Sequence, residues 1–346
     1  IRVGHVGNEY VACFNGIHLG CIFHQANFTL ANFLTDGASS IARRMQVSAL
    51  VIGLTVVAIG TSTPELAVSL SSAIQGKESI ALGNVLGSNI FNILTILGVT
   101  AIITPLRVGK STLYAEVPMV FVISTTLILL ANDTLLHNST INSLDHGDGL
   151  VLLLFFFLFM CYTFYIARKK GTKGKDATQQ PDSNAPQIKI YGWWLSIGMV
   201  IGGLVMLIVG GNLFTEGASA IARALGVSES VIGLTLVAVG TSVPELATSI
   251  VAARKGEVDM AIGNIVGSNI FNIALILGTT ATIRPIETGG ITLLDYGVML
   301  LAVVLLFLFT LFYGKREIKR LEGVALLSVY IIYTVWLILQ ETSYLA

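Results

Sequence analysis

The 346-residue chain contains itself twice. Displaced by 180 residues, positions 36–105 align with positions 216–285 without a gap, and 42 of the 70 pairs are identical. A repeat of this quality means one structural unit built twice, which decides the architecture before any single helix is considered. Within it GTSTPELA (60–67) matches GTSVPELA (240–247), and GNVLGSNIFNI (83–93) matches GNIVGSNIFNI (263–273). Beyond it the match weakens, although Asp148-Gly149 and Glu322-Gly323 open apolar runs at similar places in the two halves.

Composition says where the doubled unit lives. Hydrophobic residues make up 54% of the chain and charged residues 12%, with 20 basic and 20 acidic side chains. Mean hydropathy is +0.80. These charges are too few to solvate a disordered chain or to neutralise a nucleic-acid backbone, so the chain reads as a polytopic membrane protein. Nine apolar runs are long enough to cross a bilayer, near 47–74, 79–103, 112–131, 149–167, 191–214, 228–252, 258–283, 291–313 and 322–340. A tenth, near 10–35, holds Asn15, His18, His24, Gln25, Asn27 and Asn32, and is assigned because the repeat requires it.

The expected fold is therefore an all-α polytopic membrane protein of ten transmembrane helices arranged as two inverted five-helix repeats. An odd number of spans per repeat reverses the sense of the second copy, a plan shared by many secondary transporters. The first repeat takes residues 1–167, with 1–31 atypical, and the second takes 191–346. Between them, 168–190 is rich in Lys, Gly, Gln, Pro and Asp and reads as a flexible linker. With Ile1 where a Met would open a gene product, the chain is expected to begin inside a longer or processed one.

Basic residues are retained on the cytoplasmic side of a membrane. Ten spans with an outer N-terminus place 16 of the 20 basic residues inside, from Arg43 and Arg44 through the linker to Lys319 and Arg320. Arg2, Lys77, Arg223 and Arg284 fall outside. The expected arrangement in the cell (plasma) membrane is thus a cytoplasmic linker with both termini outside.

Two acids, Glu65 and Glu245, sit deep in apolar spans at the same position of each repeat, where a carboxylate costs a few kcal/mol. No Lys or Arg lies inside a convincing span to neutralise them, which makes a cation the missing partner. Gly60 with Pro64, and Gly240 with Pro244, should break each helix and leave carbonyl oxygens for a buried ion, alongside the hydroxyls of Thr61, Ser62, Thr241 and Ser242. Ser88 and Asn92, and in the second repeat Ser268 and Asn272, add oxygen at an i, i+4 spacing. Gly83, Gly87, Gly263 and Gly267 are also four apart and should let helices approach closely, while Asn89 and Asn269 point elsewhere. An all-oxygen set with two carboxylates suits Ca2+ or a few Na+ ions, whereas softer metals want nitrogen or sulfur. A site neutralised either by one divalent or by several monovalent ions is a physical basis for antiport.

GTSTPELA with GNVLGSNIFN, repeated as GTSVPELA with GNIVGSNIFN, resembles the two alpha-repeats of the cation/Ca2+ exchanger superfamily, in particular its prokaryotic Na+/Ca2+ exchanger branch. The resemblance implies ten helices, alternating access in which the first and sixth slide across the rest, and transported Ca2+ and Na+ with no cofactor. It implies ion ligands at the Ala58 carbonyl, Thr61, Ser62, Glu65, Ser88 and Asn92, and at the Ala238 carbonyl, Thr241, Ser242, Glu245, Ser268 and Asn272. Potassium-dependent relatives carry Asp where this chain has Asn272, which argues against K+ co-transport. The first thirty or so residues depart from the family's first helix.

H+/Ca2+ exchange is the alternative within the class, since two neighbouring carboxylates titrate as a coupled pair. A membrane enzyme would need a nucleophile or a metal-binding His in the spans, and none of the nine contains a His. A passive channel would need a continuous polar stripe, whereas these polar residues gather at one depth. Cys13, His18, Cys21 and His24 fit no zinc-finger spacing. His137 and His146 belong to an outer loop and are expected to be solvated. Asn132-Asp-Thr134 and Asn138-Ser-Thr140 in that loop match the glycosylation pattern only weakly. Glu116 and Asp295 fall near span ends, where interfacial water is expected to satisfy them.

Overall fold

The computed structural model describes residues 29–136, 141–173, 190–224, 226–312 and 316–345. Its helices are α1 (29–44), the bent pair α2 (Ala49–Thr61) and α3 (Thr63–Ile74), α4 (Glu78–Ile103), α5 (Thr112–Leu130) and α6 (His146–Lys173). The second half supplies α7 (Trp193–Ala224), the bent pair α8 (Glu229–Thr241) and α9 (Val243–Arg254), α10 (Val258–Ile283), α11 (Leu293–Phe312) and α12 (Arg320–Leu345). Among the described residues seven helices are long and apolar enough to cross a membrane, and nine if each bent pair is one span. These nine coincide with the nine apolar runs. Of the tenth, residues 10–28 lie outside the described residues and the remainder belongs to α1.

Two boundaries differ from the sequence reading. The run expected at 191–214 continues as helix to Ala224, and Thr215, Ser219 and Ala222, about one turn apart, keep one face of the extension buried. The helix before the linker runs on to Lys173, and 174–189 lie outside the described residues.

Local chemistry explains where the helices start and break. Ser48 and Ser228 are N-caps with extended backbone, each hydroxyl accepting from the amide three residues on, at 3.4 Å. Pro64 and Pro244 then end α2 and α8, since neither ring can donate the next helical bond. Each proline sits in the first turn of the new helix, where that donor would be unpaired anyway, and the axis turns by 42° in one half and 43° in the other. The hairpins from α3 to α4 and from α9 to α10 need left-handed residues, supplied by Gly76 (φ 76°) and Gly256 (φ 81°).

Burial sorts the helices into layers. The membrane-length windows of α4 and α10 are 83% and 94% buried inside the protein, against 17% for α6 and 28% for α12. The two central helices therefore tolerate polar residues that a lipid-facing helix would not. They approach partners from the opposite repeat through glycine. A Cβ on Gly83 of α4 would lie 3.2 Å from Ser230 O of α8, and one on Gly263 of α10 would lie 2.8 Å from Leu50 O of α2. The halves are thus interleaved.

Two short antiparallel ladders join the halves at their ends. β1 (Leu106–Arg107) pairs with β4 (Glu317–Ile318), and β2 (Ser143–Leu144) pairs with β3 (Ile286–Glu287). The ion pairs agree with this division. Lys255–Asp36 (2.6 Å) and Arg43–Glu257 (3.4 Å) lie at the end to which the α1–α2 and α9–α10 turns belong. Arg284–Glu78 (3.3 Å) lies at the other.

Glu116 and Asp295 correct the expectation of interfacial hydration. They are 0% and 1% exposed, and each accepts a 2.7 Å bond from a tyrosine of the following long helix, Tyr162 for Glu116 and Tyr333 for Asp295. Asp295 also accepts from the amide and hydroxyl of Thr292, the carboxylate half of a capping box at the start of α11. His146, exposed as expected, bonds through Nδ1 to the Thr282 carbonyl at 2.9 Å.

Gly263→Val drives a branched side chain into the α2 backbone and is expected to cost about 1–3 kcal/mol. Thermal unfolding in detergent should show a clear drop in midpoint. Gly297→Ala, at a helical glycine with nothing within 4 Å of the added carbon, should not lower the midpoint.

Candidate functional site

The bends in the two broken helices meet the middle turns of α4 and α10. Glu65 and Glu245 occupy the first turns of α3 and α9, where the positive end of the helix dipole favours a carboxylate. Both are 0% exposed. Neither forms an ion pair with Lys, Arg or His among the described residues.

The hydroxyl partners come from the opposite repeat. Ser62 Oγ donates to Glu245 Oε1 at 3.1 Å, and Ser242 Oγ donates to Glu65 Oε1 at 2.9 Å. Within the second repeat itself, Ser268 Oγ adds a longer contact to Glu245 Oε1 at 3.4 Å. Thr61 Oγ1 lies 3.1 Å from Asn264 Oδ1, and Thr241 Oγ1 lies 3.1 Å from Asn84 Oδ1, again across the halves. All twelve residues expected from the sequence are buried, at 3% exposure or less.

Several of them end in oxygen without a hydrogen-bonding partner. Glu65 Oε2, Glu245 Oε2, Ser88 Oγ, Asn92 Oδ1 and Asn272 Oδ1 are buried and unbonded, as is Asn92 Nδ2. Buried polar atoms are almost always paired, so five such oxygens on the four helices α3, α4, α9 and α10 call for an explanation. The arrangement is imperfectly symmetric. Asn272 Nδ2 donates to Asn89 Oδ1 at 3.3 Å, whereas the Asn92 side chain bonds to nothing among the described residues. Asn89 thus touches an expected ligand, while Asn269 turns back to its own helix at Ile265 O, 2.7 Å away.

The alanine carbonyls differ from the sequence expectation. Ala58 O accepts from Ser62 N at 2.9 Å and Ala238 O from Ser242 N at 3.1 Å, so the proline breaks do not leave them unpaired. A proline withholds its donor from the carbonyl four residues back, here Gly60 and Gly240. In the second half that carbonyl faces Gly211 of α7, where an added Cβ would lie 2.7 Å from Gly240 O. Each alanine carbonyl is also approached by a threonine hydroxyl of its own helix, Thr61 Oγ1 at 3.5 Å from Ala58 O and Thr241 Oγ1 at 3.3 Å from Ala238 O.

Helical registry also shifts at this level. Wide π-turns occupy Gly53–Val57 and Gly233–Val237 just before the breaks, and Asn92–Leu97 and Phe271–Leu277 in the central helices. Such turns concentrate at functional sites because one extra residue per turn re-aims the side chains around it.

Asn84 and Asn264 were missed by the sequence reading. They precede Ser88 and Ser268 by four residues, so the i, i+4 spacing that selected the serines and Asn92 extends one turn further back. Of the apparent zinc set, Cys13, His18, Cys21 and His24 lie outside the described residues. Among the described residues no cluster of three His, Cys, Asp or Glu could hold a metal.

A multi-pass helical bundle in which two broken helices, one per repeat, bring carboxylates together at its centre defines a secondary transporter. The chain belongs to the sodium/calcium exchanger family, whose sequence profile, described as sodium/calcium exchanger protein, matches residues 26–165 and 195–339. It is 39% identical over 299 residues to the putative antiporter CaxA of Alkalimonas amylolytica, covering 86% of this chain and 90% of that protein. It is 34% identical over 327 residues to the sodium/calcium exchanger MaX1 of Methanosarcina acetivorans, covering 88% and 93%. A solved structure of the sodium-calcium exchanger NCX_Mj, soaked with Na+ and no Ca2+, superposes with a TM-score of 0.70 at 32% identity, over 92% of this chain and 97% of that one.

Ser62→Ala and Ser242→Ala each remove a buried donor from a carboxylate of the other half. Each is expected to cost about 1–3 kcal/mol and to lower the unfolding midpoint in buffer free of Na+ and Ca2+. Thr125→Ala should not, because that hydroxyl bonds only back along its own helix to Phe121 O.

Proposed function

We propose that this protein exchanges Ca2+ for Na+ across the cell membrane by alternating access at the buried all-oxygen site. The observation that carries the reading is the set of unbonded buried oxygens, two of them carboxylate, with no basic side chain paired to either acid among the described residues. A cation satisfies such a set, and hard oxygen donors in this number suit Ca2+ or Na+. The ligands are Thr61, Ser62, Glu65, Ser88 and Asn92 with the Ala58 carbonyl, and Thr241, Ser242, Glu245, Ser268 and Asn272 with the Ala238 carbonyl. Ions of the two kinds compete for the same carboxylates, so binding one excludes the other and flux is exchange. The names of MaX1 and NCX_Mj support this assignment.

In this reading the chain forms ten transmembrane helices as two inverted five-helix repeats. The linker is cytoplasmic and the termini lie outside. The cross-repeat ladders favour that topology, since β1 with β4 and β2 with β3 each join loops that the ten-span count assigns to one side. Reporter fusions after Ala346 and within the linker should be active on opposite sides of the membrane. Activity of both on one side would overturn the topology.

Purified protein in proteoliposomes should take up Ca2+ when an outward Na+ gradient is imposed, and not with a proton gradient alone. Uptake driven only by protons would replace Na+ by H+ as the coupling ion. Glu65→Gln and Glu245→Gln should each reduce uptake at least a hundredfold while inserting normally, and retained exchange in both would remove the site.

A further inference from the structure

We propose that Asn84 and Asn264 are positioning residues that lock the ion ligands of each half to those of the other through two closed rings of contacts. The inference rests on the ion site proposed above and goes beyond it, because neither asparagine is among the expected ligands.

Both side chains are 0% exposed and every polar atom in them is bonded. Asn84 Nδ2 donates to the main-chain oxygen of Glu65 at 3.3 Å and to Ser69 Oγ at 2.9 Å. That uses both amide hydrogens and leaves Oδ1 to accept from Thr241 Oγ1 at 3.1 Å. Asn264 repeats the pattern with Glu245 O at 3.5 Å, Ser249 Oγ at 3.0 Å and Thr61 Oγ1 at 3.1 Å. The amide orientation follows from the partners, since a flip would set Oδ1 against the Glu carbonyl. Asn92 and Asn272, by contrast, keep unbonded oxygens. Fully bonded amides hold other groups in place, whereas amides with a spare oxygen can offer it to an ion.

The contacts close on themselves. Asn84 holds Thr241; the next residue, Ser242, donates to the Glu65 carboxylate at 2.9 Å; and the Glu65 main chain returns to Asn84. The mirror ring runs from Asn264 to Thr61, through Ser62 to the Glu245 carboxylate, and back from the Glu245 main chain. Each ring contains residues of both repeats and one of the two carboxylates. Cutting a ring at its asparagine frees the Thr hydroxyl to turn wholly to its own helix, where Val237 O lies 3.0 Å from Thr241 and Val57 O lies 3.1 Å from Thr61. The neighbouring serine is then no longer braced against the opposite carboxylate.

A divalent ion needs both carboxylates held at once, while a monovalent ion is neutralised by one. Opening one ring therefore weakens Ca2+ more than Na+. Loss of a group that orients a metal ligand typically costs about 10–100-fold in affinity.

The test is initial-rate Ca2+ uptake driven by a Na+ gradient in proteoliposomes, reading the KM for Ca2+, the half-saturating Na+ concentration and the maximal rate. Asn84→Ala should raise the Ca2+ KM at least about tenfold, with the Na+ value and maximal rate changed by less than about threefold. Added to Thr241→Val, in the same ring, Asn84→Ala should change the Ca2+ KM by less than about twofold; added to Thr61→Val, in the other ring, it should show its full effect. Ser69→Ala removes only the contact outside the ring and should leave the Ca2+ KM unchanged. Should Asn84→Ala not insert, Asn84→Ser, too short to reach Thr241, gives the same reading.

Equal losses for Ca2+ and Na+, an unchanged Ca2+ KM, or full additivity within a ring would overturn the inference and leave Asn84 a packing residue. If Glu65→Gln and Glu245→Gln both retain exchange, the ion site itself is wrong. If Glu65→Gln abolishes exchange while Asn84→Ala transports normally, only the rings are wrong.

Discussion

Two carboxylates brought together in the middle of an apolar bundle, with no basic side chain among the described residues paired to either, set the terms for everything around them. Water is excluded, so each must be met by protein donors or by an ion. The donors that meet them, Ser62 for Glu245 and Ser242 for Glu65, come from the opposite repeat. Neither half can build its own site. The bends at Pro64 and Pro244 follow from the same requirement, because a continuous helix would offer the acids no dipole end and would hold the serine next to the break in its own turn.

Interleaving needs close backbones, which explains the glycines. Where α4 passes α8 and α10 passes α2, a single added carbon would meet main-chain atoms at 3.2 Å and 2.8 Å. The same approach carries Asn84 and Asn264 to threonines of the other half. Outer helices then shield α4 and α10 from lipid, so the polar turns at Ser88–Asn92 and Ser268–Asn272 face protein only. The buried acids outside the site, Glu116 and Asp295, tie this outer layer together through Tyr162 and Tyr333.

The two halves are similar without being equal. Ser268 reaches Glu245, while Ser88 reaches no partner; Asn272 bonds to Asn89, while Asn92 does not bond. The ends differ as well. Lys255–Asp36 and Arg43–Glu257 brace one end, whereas the matching positions of the other repeat carry Gln75 for Lys255 and Lys77 for Glu257. With Lys77 and Arg223 both basic, the second pair cannot be copied, and Arg223 turns to Glu229 at 2.9 Å instead.

Much of this was legible in the chain itself. The 180-residue repeat, nine apolar runs, the prolines beside buried acids and the four-residue spacing of Ser88 and Asn92 are local or periodic features. Helix sense, span length and broken turns follow from such features because backbone hydrogen bonding in a membrane is satisfied within each segment. Which groups face each other was decided only in three dimensions. No spacing along the chain relates Ser62 to Glu245 or Asn84 to Thr241, because these contacts arise from the crossing of helices in different repeats. Position near a span end likewise suggested water for Glu116 and Asp295, and the packing of α6 and α12 buried them under tyrosine. The sequence by itself determined the two broken, acid-bearing helices, since propagation of a helix past proline is a local matter. The tertiary structure alone decided that each acid is held by the other half, since a hydroxyl can donate only to what packing brings within about 3 Å of it.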